Sequence, residues 1–311
     1  MKPRRYILVA IGLILLAAFL GQFHRDIPAK RLMELYGKPP SRYMHIDGMQ
    51  VHYRDEGEGF PVVLIHGMSS TLRTWDGWAE ILSHQYRVIR MDLPGFGITG
   101  PNANNDYSDA YYVNFMQQFL DSLGVKQCYM VGNSLGGRIA WQYDVAHPEQ
   151  VRKLVLVDAA GYPIKKPPPV FSLARIKFLA PFFSYFTPRY FVEKSCNDVY
   201  GDPSKLNDTI VDMYFKMALR KGNREAFIAF VQGYKNADTT LIREVKAPTL
   251  IIWGGKDRWI PKAHAEAFHR DIADSKVIIF PHLGHIPMEE KPVETCYDVL
   301  NFFGTLPKME Q

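Results

Sequence analysis

Residues 132–137 read Gly132-Asn133-Ser134-Leu135-Gly136-Gly137. Gly-x-Ser-x-Gly at this spacing can turn a strand sharply into a helix and leave one serine exposed at the apex. A residue so placed sits in strained backbone, and Gly132 and Gly136 remove Cβ atoms where strand and helix would collide. The chemistry open to such a hydroxyl is nucleophilic attack. At neutral pH that needs a base within hydrogen-bond reach and a third group to orient the base. The adjoining helix N-terminus adds unpaired N–H groups and a positive dipole end.

Alone the pentapeptide is a weak pattern, because glycine and serine are common, and its flanks decide its meaning. "KQCYMV" before it reads as a buried strand, and Leu135–His147 after it as a helix that ends at a proline. Further on, Asp257 directly follows the apolar run "PTLIIWGG", and His285 lies in "PHLGHIPMEE" after "KVIIF". Both fall at the carboxyl ends of expected strands, the edge where Ser134 emerges. Asp257 could instead cap a helix beginning near Pro261, Asp158 at the end of the sixth strand is a second candidate acid, and His282 lies three residues before His285. Cys128, Cys196 and Cys296 are widely spaced, with no metal-ligand pattern, and Cys128 reads as a core residue.

The elements that must position these residues alternate. "YMHIDGMQVHYRDEG" reads as a hairpin turning at Asp47-Gly48, "PVVLIHG" as a strand, Leu72–His84 as a helix, "YRVIRMD" as a strand and "LPGFGITGP" as a loop. Asp109–Leu123 is expected as helix, Gln127–Val131 as strand and Lys153–Asp158 as strand, which implies a mostly parallel sheet with helices on both faces. Between Gly161 and Lys246 no strand returns, so this stretch reads as an inserted helical cap. From Pro248 the alternation resumes, closing with a helix at Val293–Phe303.

With these stations in order, residues 44–305 resemble a capped esterase or lipase of the α/β-hydrolase fold. The resemblance rests on His66-Gly67, Asp92-Leu93-Pro94-Gly95-Phe96-Gly97, the Gly132–Gly137 elbow, Asp257 and Gly284-His285. It implies an α/β fold with a mostly parallel eight-stranded sheet. It also implies Ser134 as nucleophile, His285 as general base, Asp257 as orienting carboxylate, and the backbone N–H groups of Met68 and Leu135 as oxyanion donors. His66 and Gly67 are expected to support that oxyanion loop, Asp92 to be a structural turn residue, and Arg138 a packed or ion-paired helix residue. The chemistry calls for no cofactor or metal.

The chain has 311 residues, 47% of them hydrophobic, and a formal charge of +5. That composition is globular, and with no basic run interleaved with aromatics a nucleic-acid partner is not expected. The start differs: Lys2, Arg4 and Arg5 precede Tyr6–Phe23, an uncharged run of 18 residues, just long enough to span a bilayer. A transmembrane anchor over 1–24 is the favoured reading, with a cleaved signal peptide and a buried helix as rivals, and basic residues on both flanks leave the orientation open. The organisation expected is anchor 1–24, linker 25–43, core 44–160 and 247–305, and cap 161–246.

Phe171, Phe178, Phe182, Phe183, Tyr185, Phe186 and Tyr190 make the cap aromatic. They can glue the cap to the core, line an apolar pocket, or touch the bilayer. With the anchor, they point to a small lipophilic ester as substrate. Asn133 keeps open a second reaction, C–C bond cleavage of ring-fission products, in which the same fold carries Gly-Asn-Ser-x-Gly-Gly. Ile286 after the histidine, where those hydrolases usually have tryptophan, favours the ester. Cofactor-free haloperoxidase activity and a non-catalytic, membrane-tethered ligand-binding protein are the remaining alternatives.

Overall fold

The computed structural model describes residues 21–164, 169–178, 182 and 184–304. A short helix, α1 (Ala29–Tyr36), precedes β1 (Arg42–Ile46) and β2 (Met49–Glu56), an antiparallel pair turning at Asp47 and Gly48, both with positive φ. Then come β3 (Pro61–Ile65), α2 (Asp76–Leu82), β4 (Arg87–Met91), α3 (Asp109–Ser122), β5 (Cys128–Asn133), α4 (Leu135–Ala146) and β6 (Val151–Val157). The insertion carries α5 (Pro169–Ala174), α6 (Arg189–Val199), α7 (Asp208–Ala218) and α8 (Asn223–Gly233). The chain returns through β7 (Thr249–Gly254), α9 (Ala263–Asp271), β8 (Ser275–Phe280), α10 (Pro287–Glu290) and α11 (Pro292–Phe303).

The strands form one eight-stranded sheet in the order β1-β2-β4-β3-β5-β6-β7-β8, antiparallel at β1-β2 and β2-β4 and parallel elsewhere. This is the architecture expected from the alternation. β3 (PVVLI) and β7 (TLIIWG) are apolar almost throughout because both faces are covered. Met130 and Ile251 face a cluster with α3, α4 and α9, while Val131 and Ile252 face one with α2 and α11. The helix expected over 72–84 divides into a 3-10 turn at Leu72–Trp75 and α2. Arg90 Nη1 donates to the Leu72 carbonyl at 3.2 Å and so ties this turn to β4.

Asp92, just past β4, joins four segments. Its buried carboxylate accepts from His52 Nδ1 on β2 (2.7 Å), Thr71 Oγ1 (2.8 Å), the Leu72 amide (2.7 Å) and the Ile98 amide (2.7 Å). Burial alone would raise its pKa, but the charge and hydrogen bond of His52, with the Leu72 amide, hold it well below the usual carboxylate range. The turn residue expected from sequence is the knot of the β3 and β4 loops.

Within 25–43, read above as a linker, α1 packs its buried Leu32 with Ile98 and Met217. The anchor assigned to 1–24 falls almost entirely outside the described residues, and no described helix is long and apolar enough to cross a membrane. The three cysteines are buried and free, and burial pushes each thiol up to about 12.

Asp92→Ala strands four donors in the core, so we expect a loss of about 3–5 kcal/mol. The urea midpoint, read at unchanged m-value, measures it. Asp92→Asn, which keeps one acceptor, should lose less.

Candidate active site

Parallel strands β3, β5, β6 and β7 end side by side, and the residues after them meet there. Ser134 follows β5 at φ 54° and ψ −115°, a region few side chains occupy. Its N–H donates to the Val157 carbonyl (3.1 Å), and its carbonyl accepts from Arg138 N (3.1 Å) and Ala160 N (2.9 Å). The ends of β5, β6 and α4 therefore grip the strained residue from both sides. A Cβ on Gly136 would overlap the Ile65 carbonyl, so only glycine lets α4 start against β3.

The loop after β3 lies against this turn: a Cβ on Gly67 would stand 3.1 Å from the Ser134 Cβ. His66 is fully buried. Leu93 N–H donates to its Nε2 (2.9 Å), so Nδ1 carries the proton and donates to the Gly67 carbonyl (2.6 Å). Burial depresses the His66 pKa, against the opposing pull of Asp92 and the Gly67 bond, and keeps the ring neutral. In a trans peptide C=O and N–H point opposite ways, so holding the Gly67 carbonyl against His66 fixes the direction of the Met68 N–H. Leu135, the other expected donor, is the first residue of α4, where N–H groups have no intrahelical acceptor.

Asp257 and His285 come together from the loops after β7 and β8. His285 Nδ1 lies 2.7 Å from Asp257 Oδ2, with side chains 4% and 1% exposed. Asp257 Oδ1 accepts from the amides of Trp259 (2.7 Å) and Ile260 (3.0 Å), which fixes the carboxylate. Such an imidazole has Nε2 free to take a proton, and a buried negative charge ready to stabilise the cation that results. The Trp259 ring lies 5.6 Å from the His285 ring at a 34° tilt. His282, the rival histidine, is an exposed surface residue paired with Glu294. Arg138, left open as packed or ion-paired, is buried and forms a bidentate pair with Asp109.

Asp158, the rival acid, is fully buried at φ 45° and accepts from the Gly254 amide (2.9 Å). Among the described residues Asp158, Asp257 and His285 have ligand atoms within 4.8 Å of one another, the spacing a cation could use. With His285 Nδ1 hydrogen-bonded to Asp257, the arrangement suits proton chemistry instead. Burial, and then the charge of Asp257, raise the Asp158 pKa well above the carboxylate range and favour its neutral form.

Three contributors make contacts that the sequence did not reveal. Asn133 Nδ2 donates to the carbonyls of Val157 (3.1 Å) and His285 (2.9 Å), tying the turn to the backbone of the base. Glu290 accepts from the amides of Gly284, Gly201 and Asp202, each at 2.9 Å, and His285 N donates to the Val199 carbonyl at 2.7 Å. Glu289 accepts from Thr74 Oγ1 (2.7 Å) and the hydroxyls of Tyr200 (2.6 Å) and Tyr214 (2.7 Å). The acidic pair thus fastens the cap to the histidine loop. Of the cap aromatics, Phe171 packs inward on Phe227 while Phe178, Tyr185 and Tyr190 are exposed, and Phe183 lies outside the described residues. Only some of these rings, Phe171 among them, face inward.

Asp257→Asn should lower kcat by about four orders of magnitude while Asp158→Asn keeps most of it, as steady-state rates will show. The raised pKa lets the folded protein keep a proton on Asp158 that the unfolded chain releases near pH 4, so this group lowers stability as pH rises above that value. Asp158→Asn removes this dependence. Its Tm should match the parent near pH 4 and exceed it at pH 8.

Residues 61–292 match the family model described as alpha/beta hydrolase fold. The chain is 31% identical over 267 residues to a 2-hydroxymuconate semialdehyde hydrolase of Pseudomonas putida, covering 83% of this chain and 92% of that protein. It is 29% identical over 272 residues to a 2-hydroxy-6-oxo-6-(2'-aminophenyl)hexa-2,4-dienoic acid hydrolase of Metapseudomonas resinovorans, covering 85% and 90%. Among solved structures, a membrane phospholipase A described as a bacterial virulence factor superposes with a TM-score of 0.74 at 25% identity, over 96% of this chain and 98% of that one. The sheet, the serine turn and the matched span agree: the chain belongs to the α/β-hydrolase fold family, as a serine hydrolase.

Proposed function

We propose that Ser134 attacks a substrate carbonyl carbon while His285 Nε2 takes its proton. The negative charge then develops on the carbonyl oxygen, where the N–H groups of Met68 and Leu135 receive it. Asp257 stabilises the imidazolium, which next protonates the leaving group, and water activated by the same ring frees the acid. The observation that carries this reading is the 2.7 Å bond between Asp257 and His285 beside a serine at φ 54°.

For the bond broken, the named relatives support a C–C bond adjoining a ketone in a ring-fission product, where the leaving group is a delocalised carbanion that His285 protonates. A carboxylic ester with a lipophilic part is the second reading, and two observations favour it. Ile286 follows the histidine. A dienoic acid also brings a carboxylate that wants a cation, yet the buried arginines Arg90, Arg138 and Arg224 are each bound to carboxylates of the chain. The likeness to the membrane phospholipase A points the same way.

A fluorophosphonate probe should label the protein and not Ser134→Ala, whose turnover falls by about 10³-fold or more. A folded protein that resists the probe would sink the reading. Rates on 2-hydroxy-6-oxo-6-phenylhexa-2,4-dienoate and on p-nitrophenyl esters of rising chain length then decide the bond. The first reading requires the dienoate to be preferred by orders of magnitude, and the second requires the reverse.

A further inference from the structure

The described chain begins on the cap. Phe23 forms an antiparallel bridge with Phe186, and His24 N donates to the Tyr185 carbonyl (3.3 Å). Ile27 exchanges backbone bonds with Leu219 (2.8 Å) and Lys221 (2.9 Å), and the buried Arg224 guanidinium holds Asp26 (2.5 Å) and the His24 carbonyl (3.1 Å). The described end of the chain, Gly21–Ile27, is therefore fixed to the cap.

Aromatic rings surround that point. Phe23 meets Phe182 edge-on at 5.7 Å, and Phe182 stacks on Phe186 at 4.7 Å. Phe178 is 81% exposed, and Tyr185 and Tyr190 are each 64% exposed. These are the most exposed aromatics of the described chain, gathered in one stretch rather than scattered. Charge follows the same division. Residues 1–25 and 164–192, the two segments that meet at Phe23 and Phe186, contain no Asp or Glu, and Arg25, Arg175 and Lys177 in them are exposed.

Rings with an apolar body beside the exposed basic side chains of Arg175 and Lys177 match the region where lipid headgroups meet acyl chains, above all in an anionic leaflet. We propose that this face of the cap rests on an anionic phospholipid bilayer, with Tyr6–Phe23 inserted beside it as the anchor. The anchor fixes where the molecule meets the membrane, and the aromatic face fixes its tilt. Substrate dissolved in the leaflet then meets the cap before the core.

The native thiols are buried, so a cysteine introduced by Phe178→Cys or Tyr190→Cys takes an environment-sensitive fluorophore selectively, and Val293→Cys on α11, 73% exposed in the parent, serves as control. Full-length protein is reconstituted into phosphatidylcholine vesicles with and without phosphatidylglycerol, carrying nitroxide lipids. We expect several-fold quenching at 178 and 190 and none at 293, stronger with phosphatidylglycerol and weakened by salt. Equal aqueous exposure at all three sites overturns the proposal. So does protection at 178 without vesicles, which would mean that residues 1–20 fold over the face, or protection that tracks dimer formation in detergent, which would mean a second copy covers it. Labelling needs no turnover, so failure of the substrate reading leaves this test intact. As a second arm, a Phe178→Ser/Tyr190→Ser variant with unchanged Tm should keep its rate on a soluble ester and lose several-fold on the same ester held in vesicles. An equal rate on both would count against the membrane-facing role.

Discussion

A serine cannot rest at φ 54° and ψ −115° unless its surroundings over-determine it, and the sheet edge is built around that demand. Backbone bonds from Val157, Arg138 and Ala160 fix the peptide groups on either side of Ser134. The strain is borne by the ends of β5 and β6 and the start of α4, and those ends are parallel and adjacent only because the crossovers place helices on both faces. Ser69 and Asp158, in the two neighbouring loops, also have positive φ, so three contorted residues gather where hydrogen-bonded strands give way to side-chain chemistry.

Around this turn the ionisable groups divide the work by environment. Asp92 is held charged by four donors and organises loops. Burial and the charge of Asp257 favour the neutral form of Asp158, and hence one negative charge rather than two next to His285. His66 is kept neutral, with both ring nitrogens used by the backbone, so it positions an amide and exchanges no proton. Three carboxyls and two histidines at one sheet edge thus have separate duties, set by burial and by what each can bond.

Much of this was legible in the sequence where the signal is local. The serine turn, the acid after one strand and the histidine after the next are short motifs punctuated by glycine and proline, and the alternation of apolar runs places them on one edge. The parts that were not legible depend on contacts between distant segments. Asn133 reaches a carbonyl 152 residues away, and Glu290 binds a cap turn 88 and 89 residues before it. The expected helix over 72–84 begins as a 3-10 turn whose Leu72 carbonyl is also bound by Arg90 on the following strand, a contact between separate segments. The cap aromatics could not be sorted into inward and outward rings either, since helical spacing says nothing about which neighbour covers a face.

The grip of Glu290 on Gly201, Asp202 and Gly284, together with the His285–Val199 bond, has a bearing on how such a molecule diversifies. The cap is riveted to the loop of the base along one flank, so it does not swing as a hinged cover on that side. Insertions or deletions between Val199 and Asp202 would drag the imidazole out of register with the serine. The opposite flank, from Ile164 to Arg189, makes no backbone bond to Ser134, Asp257 or His285 among the described residues. New substrate preferences can be tried there by changing length and composition, while the flank that holds the histidine is bound to keep its geometry.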